Sequence, residues 1–195
     1  MALVRVLVVS AAGDTAQGAV EIREVYAARA RAELGAADAK CPGADTVSWR
    51  GALLAEIAVV KGMPGPAEAA GGAALTGADG EAIEKALETL GWNSETAFFT
   101  LSRPLADADP SRRAARLRLQ IEAVDPVVVV ALDACAAEDL AAAFSSEAIV
   151  PGAPRDVLGR RFVALTAFEE SLSDQKRKQQ SWRELQAVKP PGPVY

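Results

Sequence analysis

The residues able to do chemistry in this 195-residue chain are few, and one type is missing. There is no histidine. That excludes a Ser-His-Asp triad, a histidine-ligated metal and a histidine general base together. The only cysteines are Cys41 and Cys135, too few for a four-cysteine zinc or iron–sulfur site within one chain. Neither a metal nor a cofactor is therefore expected. Cys135 lies in an apolar stretch and reads as a small core residue. Cys41, in the loop-like KCPG, reads as a free surface thiol.

What remains is a short set of candidates. Glu68 lies beside a Gly/Pro-rich loop. It can activate a water there, or be a solvated loop charge. Arg103 can hold a phosphate or another anion, or form a structural ion pair. Thr166 can donate a hydrogen bond from a strand end. Lys176, Arg177 and Lys178 form a run suited to a nucleic-acid backbone, or to a solvated helix face. Asp133 ends an apolar strand, where α/β sheets bind ligands, and suits equally the cap of the next helix. The glycines from Gly71 to Gly80 contain neither Gly-x-Gly-x-x-Gly nor Gly-Lys-Ser/Thr, so they argue only weakly for a phosphate site.

The elements that must position these residues follow from hydrophobic periodicity. Strands are expected at 3–9 (LVRVLVV), within 55–60, and at 97–101, 127–132 and 162–166. Helices are expected at 16–34, 79–90, 111–123, 134–144 and 171–187. Gly91 closes the second of these and Ser111 caps the third. Segment 127–132 is apolar on both faces, as a central parallel strand is. The alternation predicts an α/β fold, a three-layer αβα sandwich with a mostly parallel central sheet.

Half the residues are hydrophobic and 24% are charged, a globular composition. The net charge of −5 runs against avid nonspecific DNA binding, which draws its affinity from neutralising phosphates. No apolar run approaches the ~18 residues of a membrane span, and LVRVLVV is short for a signal peptide. A cytoplasmic protein without a membrane partner is the expectation.

The order of motifs from Ile57 to Val188 resembles the uracil-DNA glycosylase superfamily, closest to its iron–sulfur branch. That branch carries Gly-Glu-x-Pro-Gly-x-x-Glu after a strand; here the stretch is Lys61, Gly62, Met63, Pro64, Gly65, Pro66, Ala67 and Glu68. Its Gly-x-x-Phe-x-Gly-x-x-Gly loop is matched by Gly72, Leu75, Gly77 and Gly80. Its strand ending Thr-Asn, before an Arg-Pro, is matched by Thr100, Leu101, Arg103 and Pro104. Its helix–strand–helix pattern is similar to LRLQIEAVDPVVVVALDACAAEDL. Its terminal His-Pro-Ser falls near Thr166, Ala167 and Phe168.

The resemblance implies a pocket bounded by Gly62, Met63, Pro64, Gly65, Leu75, Gly77, Leu101, Thr166 and Ala167, into which active members extrude a base. It also implies that the working side chains are gone. The family's Glu is replaced by Gly62, its stacking Phe by Leu75 and its base-reading Asn by Leu101, and its His is absent. The organisation expected is a strand–helix extension at 1–50 packed on the same domain, a glycosylase-like core at 51–188 and a tail at 189–195. The function expected is a catalytically degenerate glycosylase-fold component of DNA repair or replication. It would bind a protein partner, and DNA only weakly, through Arg103 or Lys176–Lys178. An active divergent glycosylase using Glu68, and a small-molecule enzyme on a generic doubly wound sheet, are the alternatives. Two surfaces are candidates for a partner: a sheet edge in the N-terminal extension, and the C-terminal stretch from Trp182 to Tyr195, which ends in the extended apolar tail Pro190–Tyr195.

Overall fold

The structure, a computed structural model, describes residues 3–43 and 46–190. Strands β2 (Ile57–Lys61), β3 (Phe98–Leu101) and β4 (Val128–Ala131) are buried at every residue. They are apolar on both faces because helices cover both faces. β6 (Arg160–Ala164) completes a parallel group in the order β3-β2-β4-β6. Two short antiparallel strands close its edges, β1 (Arg50–Gly51) on β3 and β5 (Arg155–Val157) on β6. The expected strands from Ile57 onward thus lie in one mostly parallel sheet; the edge strands carry no apolar alternation to announce them.

Alternate residues of each strand feed opposite layers. Ala58, Val60, Phe98, Val129 and Phe162 pack with Leu117 and Ile121 of α4 (Pro110–Val124) and Leu140 of α5 (Ala134–Ala143). Val59, Phe99, Val130 and Val163 pack with Ile83 and Leu87 of α3 (Ala78–Leu90) and Leu185 of α7 (Gln175–Leu185). Two single-turn helices complete the layers, α2 (Pro66–Ala69) and α6 (Phe168–Ser171). Gly91 caps α3 in the left-handed conformation, φ 98°, as expected. The cap of α4 is Asp109, whose carboxylate accepts the backbone N–H groups of Ser111 and Arg112; Ser111 itself sits just inside the helix. A side-chain hydrogen bond from Ser111 holds the Asp109 carboxyl below its ordinary range.

The N-terminal expectation is corrected. Residues 3–9 are not a strand; they open α1, one helix from Leu3 to Asp38. The physical reason is context. Strand preference is realised only beside a neighbouring strand, and residues 3–9 pair with none of the six strands. The SAAGD segment that follows, residues 10–14, contains no proline to stop the helix, and one glycine costs it only ~1 kcal/mol. Residues 3–9 therefore offer no sheet edge to a partner. The C-terminal part of α1 docks on α4 through buried Ala30, Leu34 and Ala37, and among the described residues the only edge strand that reaches into the extension is β1, at Arg50. Asp38 there accepts hydrogen bonds from Arg116 and Gln120, at 2.9 and 3.2 Å. Cys41 is likewise not a surface thiol. The turn after α1 buries it, in a cleft it shares with Leu105 and Arg112. Cys135 is half-buried rather than core.

Candidate functional site at the carboxyl end of the sheet

The chain leaves β2 for β3 on one side and later returns to β4 on the other. The switch point, where open α/β sheets bind ligands, therefore lies between the ends of β2 and β4. The residues there are Lys61 and Asp133. Lys61 ends an apolar strand yet is buried. Its ammonium donates to Asp79 at 2.6 Å in the first turn of α3 and pairs with Glu169 at 3.0 Å; Glu68 lies 4.0 Å away. Burial by itself lowers the Lys61 pKa. The hydrogen bonds to Asp79 and Glu169, with the nearby carboxylate charges, outweigh it and hold the group above its ordinary value. A protonated amine has no lone pair, so Lys61 as placed is a counter-charge, not a nucleophile.

Glu68 is 2% exposed, not a solvated loop charge. Burial is tolerated because both oxygens are engaged: Oε2 accepts the N–H of Gly65 at 2.9 Å and Oε1 that of Leu75 at 2.7 Å. It ties the two ends of its loop together. Leu75 is held at φ 56°, in the left-handed region, which is unusual without a glycine. Its carbonyl also accepts from Arg50 Nη2 at 2.6 Å, and its side chain is fully buried. A Cβ on Gly80 would meet that carbonyl oxygen at 1.8 Å. Gly80→Ala is accordingly expected to cost about 1–3 kcal/mol through a forced backbone shift, read as a lower denaturation midpoint. An unchanged midpoint would mean that the Leu75 loop is not packed as described.

Asp133 uses both oxygens. Oδ1 caps α5 by accepting from Ala136 N–H at 2.9 Å, and Oδ2 accepts from Gly62 N–H at 2.8 Å. A side chain at Gly62 would strike it, with Asp133 Oδ1 2.5 Å from an added Cβ. No larger residue, a glutamate included, fits there without rearrangement. Thr166 is held by Glu184, which accepts its backbone N–H at 2.9 Å and its hydroxyl at 2.7 Å. Ala167 bridges to Asp133, and Met63 is exposed.

Gly62, Gly65, Glu68, Leu75, Gly77, Thr166 and Ala167 thus gather at one end of the sheet. Leu101 does not open onto that end; it is 1% exposed in a small cluster with Val47 and Ala74. Arg103 is pinned to α5, with Nε 2.7 Å from Asp139 and Nη2 3.1 Å from Glu138. The Asp139 hydrogen bond raises its pKa and fixes its charge. Lys176, Arg177 and Lys178 are exposed on α7, and Arg177 pairs with Glu170. The cavity at the switch point, bordered by Lys61, Asp79, Asp133 and Phe168, is only about 150 Å³. Ligand pockets usually run to ~300–1,000 Å³.

Among the described residues no group of three or more histidine, cysteine, aspartate or glutamate side chains is placed to hold a metal ion. Nor is any helix of the described residues long and apolar enough to cross a membrane. The fold and site define a doubly wound α/β domain whose switch-point crevice is narrowed by an ion-pair cluster around buried Lys61 and Asp79. No protein-family model matches the chain, and comparison with curated proteins finds no significant match.

Proposed function

We propose that the chain is a catalytically degenerate member of the uracil-DNA glycosylase superfamily that acts as a binding or assembly component in DNA metabolism. One observation carries this reading. Where the resemblance asks for a glutamate, a stacking ring and a base-reading amide, the chain has Gly62 under the Asp133 carboxylate and the buried side chains of Leu75 and Leu101. The parallel strands and covering helices, in the order the motifs require, support the same reading. Base excision depends on groups that bind the transition state better than the ground state. Each missing donor is worth about 10²–10³ in rate.

Engagement of Arg103 by Asp139 and Glu138, and the overall charge of −5, favour a protein over DNA as the main ligand. The test is release of uracil from single- and double-stranded DNA. The expected result is no release above the protein-free control. Multiple turnover that disappears in Glu68→Gln would overturn the proposal and make the chain an active, divergent glycosylase.

A further inference from the structure

A second cavity, far less polar than the switch-point crevice, lies between α3 and α7. It is about 320 Å³, and its wall is mostly apolar. The cause is local. Ala82 and Ala86, one turn apart on α3, are too small to fill the space facing α7, so Phe168 and Leu172 form an open floor. Trp182 stands at its side on α7 and is 39% exposed. A large aromatic left half in water at the edge of an apolar groove is the usual anchor of a protein interface. α3 is 13 residues long, ~20 Å, so the face has room for a few turns of a partner helix.

Charge decides which helix. Among the described residues, the charged ones lining the groove are Lys85, from α3, and Lys178, from α7, one on each side. Neither takes part in the ion pairs formed among the described residues. Exposed Lys176 and Arg183 add positive charge to α7, whose Glu184 is turned inward onto Thr166. Exposed Glu81 and Glu88 flank Lys85 on α3, so the positive charge is concentrated on α7; the two charges that line the apolar groove itself are both positive, in a chain of net charge −5.

We propose that the α3–α7 groove docks an acidic amphipathic helix of a partner protein. Its apolar residues would seat over Phe168, Leu172 and Trp182, and its carboxylates would pair with Lys85 and Lys178. The inference rests on the reading of the chain as a binding component. It does not rest on the loss of base excision: excision activity would end the catalytically degenerate reading, whereas only failure of the helix-binding test would end this one.

The test uses the full chain and a labelled synthetic helix with leucines at i, i+4 and i+7 flanked by glutamates, beside a twin flanked by lysines. The acidic helix is expected to bind at least about tenfold more tightly than its twin. Reversing the rim in the Lys85→Glu, Lys178→Glu double variant should invert that order. Trp182→Ala should weaken the acidic helix by roughly thirtyfold without shifting the unfolding midpoint. Equal binding of both helices, binding of neither, or an order unchanged by the reversed rim would overturn the proposal. So would binding that appears only after Val194→Ser and Tyr195→Ser, which would assign the groove to the chain's own tail.

Discussion

Lys61→Met is expected to destabilise the fold by about 3–5 kcal/mol, the usual consequence of removing one partner from a buried ion pair. Methionine nearly conserves the volume, so the loss is chiefly electrostatic. Asp79 and Glu68 would stay buried with no ammonium at 2.6 and 4.0 Å. Glu68 keeps its two backbone donors, so Asp79 is the orphan. The double variant Lys61→Met, Asp79→Asn should therefore recover part of the loss.

The pH dependence has a definite sign. The Lys61 pKa is raised in the folded state, because its hydrogen bonds and neighbouring carboxylates outweigh burial. Its stabilising contribution is complete below the unfolded lysine value of ~10.4, and it is lost as pH rises through the higher native value. The difference between native protein and variant should then be constant from neutrality to about pH 10 and shrink above it. Denaturant titrations at several pH values measure this. A loss under about 1 kcal/mol at neutral pH would mean the cluster is solvated and the crevice open.

Leu101→Asn, which restores the amide that the glycosylase resemblance places at this position, is expected to cost about 2–4 kcal/mol and to confer no excision. Leu101 is 1% exposed, packed against Val47 and Ala74, so an amide there gains no obvious partner and loses apolar contact. The backbone just beside it is already committed, since the Leu101 carbonyl accepts from Arg116 Nη1 at 2.9 Å. Thermal unfolding and uracil release on the same preparation decide the matter. A variant as stable as the native chain that binds or releases uracil would show that position 101 faces a pocket and that the degenerate reading is mistaken.

Much of the fold was legible in the sequence because its signals are local. IAVV, FF and VVVA are short β-branched or aromatic apolar runs, as strands of a doubly covered parallel sheet are. The i, i+4, i+7 row of Ile83, Leu87 and Leu90 predicts α3, and Asp133 caps α5 as its place in the chain suggests. The lack of histidine excludes whole classes of chemistry whatever the fold.

The tertiary structure decided the rest, wherever the outcome depends on partners far along the chain. LVRVLVV has strand-like residues but no strand to pair with, and so extends α1. Glu68 reads as a loop charge until Gly65 and Leu75 turn their N–H groups toward it. Lys61 is a lone charge at the end of an apolar strand, the one hint of a buried cluster in the sequence. Its partners Asp79 and Glu169 converge on it only because α3 and α6 begin at the same end of the sheet. Burial of charge is settled by such long-range pairing, since an ion leaves water only when its counter-charge is already in place.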